Sequence, residues 1–428
     1  MKKILLIVVI IFSQTATLLA QWESMGTGIN GTVSAIAVLN NTVYAGGSFG
    51  GGVKSYNEST QSWSTAGDGI NGTINALAVH QGKLYAGGSF LTSGSNVTCN
   101  NIAVYNPSNQ RWEAVLSGFN NFVRALYSDG TNLYAGGSFF NSGTPAVSRI
   151  AQYSTTGWIP QGDPGGVVSA ITKFYGKLHV AGNFSLNLLA VYNGNTWDKY
   201  GSGIISGVES KTLAVYDDHL YVGGDFNGIA YGLVKFKNGS FTVPFNQLNN
   251  YVKSLLATPS RLFGGGAFTA TTSGSALNHF FRYDGALPFS DFGGTNGSVL
   301  ALANYNGRVV AGGTFTTAGG LTVSNIARTT STIDIAETAP VILTSVIYPN
   351  PVIEKSTISI STNQQLQQPG LRILDPTGKC VADIPTDEVP SSFGYTFTID
   401  RSRFAAGLYY YVLTDGTTGT FSGKFLIQ

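Results

Sequence analysis

One segment recurs seven times along the chain and constrains its fold more than any other feature. Apolar residues run into a Gly-Gly doublet, Ala-Gly in the fourth copy, then a variable residue and a phenylalanine. The copies read VYAGGSF at 43–49, LYAGGSF at 84–90 and 133–139, LHVAGNF at 178–184, LYVGGDF at 220–226, LFGGGAF at 262–268 and VVAGGTF at 309–315. Their phenylalanines lie 41 to 49 residues apart, the period of propeller blades.

Each repeat divides into four short runs. The first alternates small apolar residues, as in Val33, Ala35, Ala37 or Ile74, Ala76, Ala78, with the period of two that a crowded inner strand requires. The second is the Gly-Gly run, where glycine admits a bulge and the close approach of neighbouring backbone. The third occupies 102–105, 150–153, 189–192 and 233–236. The fourth opens at Trp63, Trp112, Trp158 and Trp197, then at Phe241 and Phe289. Four strands make a blade. The phase is offset: Trp22 is a fourth-run residue with nothing before it, and the seventh copy stops after its third run at 326–328. An N-terminal strand that fills the vacant outer place would close the ring and remove a sheet edge. The expected fold is thus all-β, with a seven-bladed β-propeller over residues 21–330.

Composition agrees. Charged residues are only 11% of the chain, with 55 glycines and 12% aromatics, which excludes a coiled coil or helical bundle and argues against a disordered linker protein. Residues 1–20 read as a secretory signal peptide: Lys2 and Lys3, the apolar run 4–12, then small residues up to Ala20. Without those two lysines, basic and acidic residues balance at 22 each, so nothing recruits nucleic acid or an anionic membrane. No apolar stretch reaches the length of about 20 residues that spans a bilayer, so the mature chain carries no expected transmembrane segment. Cys99 and Cys380 are too few and too far apart for a disulfide scaffold.

Within the ring, a Gly-Gly doublet followed by Tyr, six residues and Trp, as in Tyr56 with Trp63 and Tyr105 with Trp112, resembles the kelch repeat. The spacing shrinks to four in Tyr153 with Trp158 and Tyr192 with Trp197, and Trp is lost from the fifth and sixth copies. The resemblance implies a kelch-like propeller, a fold shared by binding modules and a few oxidases.

Residues 331–345, rich in Thr, Ala and Ile, read as a linker. Over 346–428 short alternating runs are separated by turn signals, the pattern of a small immunoglobulin-like β-sandwich. This segment resembles the type A C-terminal sorting domain of the type IX secretion system. The resemblance is carried by Tyr348-Pro349-Asn350-Pro351, by Asp375 with Gly378-Lys379, by Ile399-Asp400 before Ala406-Gly407-Leu408-Tyr409, and by Gly423-Lys424-Phe425-Leu426-Ile427. It implies export through the periplasm of a Gram-negative bacterium, engagement of the type IX machinery, and delivery to the outer-membrane surface or the medium. A surface polysaccharide is the implied anchor.

Chemistry is sparse. His80, His179, His219 and His279 belong to four different repeats, so no metal site or general base is expected, nor any cofactor or catalytic residue. Strand order alone requires the turns between second and third strands, and those between blades, to open on one face. That face holds Asn30, Asn71, Phe119, Asn120, Asn121, Asp163, Asn250 and Asn296, with long insertions at 91–101, 140–148 and 269–278. Its loop length and its amide and aromatic content make it the expected ligand face. The expected function is binding or adhesion to a glycan or a protein. The alternative is an extracellular polysaccharide-active enzyme, with acid and base drawn from separate blades.

Overall fold

The computed structural model describes residues 21–140, 147–184, 187, 189–200, 205–228, 231–243, 247–284, 289, 293–330, 342–362, 369–376, 379–386, 394–415 and 418–428. The signal-peptide segment 1–20, residues 331–341 of the linker, and Gly378 lie outside them. The chain divides into two compact units, Met1–Asp334 and Ile335–Gln428.

The first unit is a seven-bladed propeller. Blade one consists of Thr32–Leu39, Thr42–Ser48, Val53–Asn57 and Ser62–Thr65, paired antiparallel in that order. The innermost strands of the next six blades are Ile70–His80, Val123–Ser128, Val167–Phe174, Ile205–Tyr216, Val252–Ala257 and Val299–Tyr305. Each inner strand touches the next, and the last returns to the first, which closes the ring. Blade six shows three strands among the described residues. Phe289 there is buried, its ring 4.5 Å from that of Phe281.

Closure follows the expected offset. Trp22–Ser24 pairs antiparallel with Ile326–Thr329, with Trp22 opposite Thr329 and Glu23 opposite Arg328. Trp22 is fully buried and meets the ring of Phe280 edge-on at 5.1 Å. Glu23 accepts from Arg308 and Arg328, and Arg328 Nη1 reaches Glu58 Oε2 of blade one at 2.7 Å. The joint thus ties the N-terminal strand to the last blade and that blade to the first.

The Gly-Gly doublet has a physical cause at each position. A Cβ on Gly46, Gly87, Gly136, Gly265 or Gly312 would lie 2.4–2.6 Å from a Val or Ile methyl of the following blade. A Cβ on Gly47, Gly88, Gly137, Gly182, Gly266 or Gly313 would lie 1.9–2.1 Å from a carbonyl oxygen of its own blade. The first glycine therefore makes room for the neighbouring blade, and the second for the strand beside it. In blade four, Ala181 takes the first place, and the matching residue of the next blade is the smaller Ser210.

Between blades, apolar side chains from both partners merge into shared cores. Trp112, Leu84 and Ile74 pack with Ala37 and Val53, for example. Burying one such Val, Leu or Phe stabilises the fold by roughly 1.5–3 kcal/mol. The outer-strand tryptophans add direction. Trp63, Trp112 and Trp197 donate Nε1–H to Met25 O, Ala66 O and Gln161 O respectively, at 2.8–2.9 Å, each just past the outer strand of the preceding blade.

The second unit holds two antiparallel sheets, one of Ile342–Tyr348, Lys355–Thr362 and Gly394–Asp400, the other of Cys380–Pro385, Pro369–Leu374, Gly407–Asp415 and Thr418–Ile427. One apolar core joins them through Val352, Ile358, Phe397, Leu413, Phe425 and Ile427. The first strand starts at Ile342, inside the segment expected to be linker. Its β-branched, apolar run extends the pairing with Lys355–Thr362 from Tyr348 back to Ile342.

Candidate functional site

The inner strand of every blade carries a register break against its neighbour at the equivalent place, between Val33 and Ala35, Ile74 and Ala76, Val123 and Ala125, Val168 and Ala170, Ser210 and Thr212, Val252 and Ser254, and Val299 and Ala301; the inner strands of blades two and five carry a second one. A bulge of this kind leaves one residue unpaired and re-aims its side chain. The seven residues so displaced are Ser34, Asn75, Arg124, Ser169, Lys211, Lys253 and Leu300, one per blade, and all of them line the central channel. Below them small residues such as Ala35, Ala76, Ala125, Ala170 and Ala301 narrow the channel.

The mouth formed by the bulges is a cavity of about 420 Å³. Because the bulges stand at the start of the inner strands, it opens on the face of the blade-to-blade loops, the face expected to bind ligand. Thr73, Ser89, Phe122 and Glu209 complete its wall. Glu209 is the single carboxylate in that wall among the described residues. It accepts from Ser169 Oγ and, at 2.9 Å, from Lys211 Nζ, while Arg124 Nη1 stands 3.6 Å away. Burial works against its charge, but the bonds from Ser169 and Lys211 and the nearby Arg124 outweigh that and hold it below the usual carboxylate range. Arg124 also donates from Nε to Ser138 Oγ at 3.2 Å, and Asn75 Nδ2 donates to Val123 O at 3.1 Å. Lys253 has no hydrogen-bond or ion-pair partner among the described residues. Burial, then the charges of Lys211 and Arg124, push its ammonium below the ordinary lysine range against a smaller opposing pull from Glu209.

None of the eight residues named from sequence lines this cavity. Phe119 is a core residue, 1% exposed, stacked on Phe139 at 4.0 Å and packed against Trp158, because an aromatic entering a blade gains more from burial than from solvent. Asn71 falls in a strand, since a further register break at Gly72 lets Ile70–His80 continue. Its amide donates to Thr92 Oγ1 and Ser93 O. Asn120, Asn121, Asn250 and Asn296 turn their side-chain oxygens onto loop amides, those of Phe140, Phe122, Tyr251, and both Thr316 and Thr317. Asp163 pairs with Arg149 and accepts from Gly165 N. Asn30 is exposed at the rim. The signal that finds the true lining is positional: each bulge residue stands twelve places before the first residue of its Gly-Gly or Ala-Gly doublet.

Cavities away from the channel include the following two. One of about 280 Å³ lies on the opposite face between blades four and five, walled by Phe174, Tyr175, His179 and Phe236. The other, about 720 Å³, is a groove on the second unit beside Pro349, Glu354, Asp400 and Arg401.

In that unit the residues singled out from sequence cooperate. Asn350 Oδ1 accepts from Leu426 N at 3.0 Å, and Val352 exchanges backbone bonds with Leu426 and Gln428, so the segment after Pro349 and Pro351 clasps the terminal strand. Asp375 closes its turn by accepting from Lys379 N at 3.1 Å. Gly407, Leu408 and Tyr409 pair with Ile427, Leu426 and Phe425. Gly423 lies under the ring of Tyr411, where a Cβ would meet the hydroxyl at 2.5 Å, and Lys424 beside it is exposed.

Fold and mouth together define a seven-bladed propeller with a polar channel opening, joined to a separate β domain. The family model described as the Rax2 C-terminal beta propeller domain matches residues 74–217, and that of the Secretion system C-terminal sorting domain matches residues 346–428. The chain is therefore a type IX secretion client that engages that machinery and is delivered to the outer-membrane surface or the medium of a Gram-negative bacterium. No helix among the described residues is long and apolar enough to cross a membrane. No curated protein matches the chain. Solved structures similar to it include the computationally designed Ika8 protein (14% identity, TM-score 0.45, 72% of this chain and 99% of that one). Others are the Niastella koreensis GH74 enzyme (13%, 0.47, 94% and 74%) and YCF48 from Cyanidioschyzon merolae (9%, 0.47, 72% and 98%).

Proposed function

We propose that this chain is an extracellular binding or adhesion protein whose kelch-like ring takes a glycan or protein ligand at the channel mouth. The ring of bulge residues carries this reading, because it gathers side chains from six of the seven blades into a single concave site, with Leu300 of the seventh lining the channel beside it. Among the described residues, the cavity wall contains one carboxylate, Glu209, itself bonded to Ser169 and Lys211, and no histidine. Acid and base catalysis of glycoside cleavage uses two carboxyl groups across a cleft, so the geometry favours binding over the enzymatic alternative. In the same reading residues 1–20 are removed on export, the two C-terminal sheets form the immunoglobulin-like sandwich, and a surface polysaccharide anchors the delivered protein.

The test is a glycan and protein array probed with the purified chain and with Ser169→Trp, which fills the mouth while leaving the loops intact. Ligands retained by the parent and lost by the variant support the reading. Ligands retained equally by both place binding elsewhere and refute it, as does the absence of any ligand.

A further inference from the structure

Three of the seven bulge residues are cationic. Arg124, Lys211 and Lys253 share one cavity with a single carboxylate among the described residues, so positive charge there exceeds negative although the chain beyond residue 20 is formally neutral. Nothing in the fold requires cations at these positions: the equivalent residues of other blades are Ser34, Asn75, Ser169 and Leu300, and all seven bulges form alike. Lys211 is spent on Glu209 and Arg124 is shared between Glu209 and Ser138. Lys253 faces the same cavity with no partner among the described residues. An ammonium left unpaired beside the like charges of Lys211 and Arg124 is destabilised, and it becomes favourable once an anion reaches it.

We propose that the channel mouth is an anion subsite that seats the carboxylate or sulfate of an acidic polysaccharide, with Lys253 and Arg124 as its principal ligands. This rests on the binding reading above and gives its ligand a chemical class. A sugar acid fits the rest of the wall. Hydroxyls of Ser34, Thr73, Ser89 and Ser169 surround the charges, and the 45%-exposed ring of Phe122 stands at the rim where a sugar face can stack. A volume of about 420 Å³ admits one or two sugar rings but not a folded acidic protein surface.

The experiment is calorimetric titration of the purified full-length chain with three probes: an oligogalacturonate, a sulfated oligosaccharide of similar length, and a neutral gluco-oligosaccharide. At low salt, one acidic probe is expected to bind at least tenfold more tightly than the neutral one, and that advantage shrinks as salt is raised. The preferred acidic probe tells carboxylate from sulfate. Lys253→Met, which keeps the length of the side chain and removes its charge, is expected to weaken acidic binding at least tenfold while the chain stays folded; Lys253→Arg is expected to restore most of it. Equal affinity for acidic and neutral probes, both lost in Ser169→Trp, overturns the anion subsite and leaves the binding reading standing. Acidic binding that Lys253→Met and Arg124→Gln leave unchanged also overturns the subsite. Binding by none of the probes, together with an array without ligands, overturns both.

Discussion

Lys253 illustrates how a cation in the channel mouth weighs on folding. Its ammonium is destabilised by burial, then by Lys211 on the adjacent inner strand and by Arg124 of blade three, and only partly relieved by Glu209. In the pH interval between its depressed value and the ordinary lysine value, the unfolded chain holds the extra proton, so stability rises with pH there. Lys253→Met is expected to melt about 1–3 °C above the parent near neutral pH, and the gap should narrow as pH climbs through that interval. Scanning calorimetry of the two proteins at several pH values checks this; a lower melting temperature for the variant at neutral pH would contradict it. The glycine doublets make a second prediction at this scale. Gly136→Ala meets a methyl of Val168, which can yield, whereas Gly137→Ala meets the Phe122 carbonyl at 2.1 Å, which cannot. The first should cost about 1 kcal/mol and be rescued by Val168→Ala. The second should cost about 3 kcal/mol or more and resist rescue. Denaturant midpoints of the four variants test the contrast.

Among the elements, Trp22–Ser24 has the largest effect for its size. It supplies the outer strand of the last blade, a fully buried tryptophan, and Glu23 for Arg308 and Arg328. Deleting residues 21–28 should cost at least about 3 kcal/mol, the loss of one large buried aromatic, and should promote association through the exposed edge of Ile326–Thr329. Glu23→Gln, which removes the charge from its partly exposed pairs with Arg308 and Arg328 but leaves Arg328 paired with Glu58, should cost less, about 1 kcal/mol. Denaturation curves combined with light scattering distinguish the two. That closure was legible in the sequence because Trp22 carries a fourth-strand signature with no blade before it. The bulges were not, since nothing in the residue types Ser, Asn, Arg, Ser, Lys, Lys and Leu announces a common role; only strand register shows that they occupy one height.

For the whole molecule, the chain divides into two compact units, and the sorting domain that directs delivery lies in the second. Removing the last ten residues takes Phe425 and Ile427 out of the core of the second unit, together with the partners of Asn350 and Val352. The terminal strand is thus a structural member of the sorting domain and not a free end. The truncated chain should keep a protease-resistant ring, lose the fold of its second unit, and accumulate in the periplasm. Cell fractionation with limited proteolysis measures both outcomes, and equal surface exposure of truncated and full-length chains would refute the assignment of delivery to this unit.

The sequence by itself determined the number of blades, the out-of-phase closure and the sorting tail. Each of these is written in local signals: glycines where a Cβ would strike a neighbour, tryptophans and β-branched runs at strand positions, and turn residues between them. It also indicated which loops share a side, because strand order dictates that. Only the tertiary structure decided which side chains form the site. Phe119 left the face for the core, and the loop asparagines turned their oxygens onto nearby amides. Residues separated by as many as 266 positions, from Ser34 to Leu300, met at one height in the channel. Such convergence depends on where each bulge falls in the register of its own blade and on the closure of the ring, and both are long-range properties that no local pattern encodes.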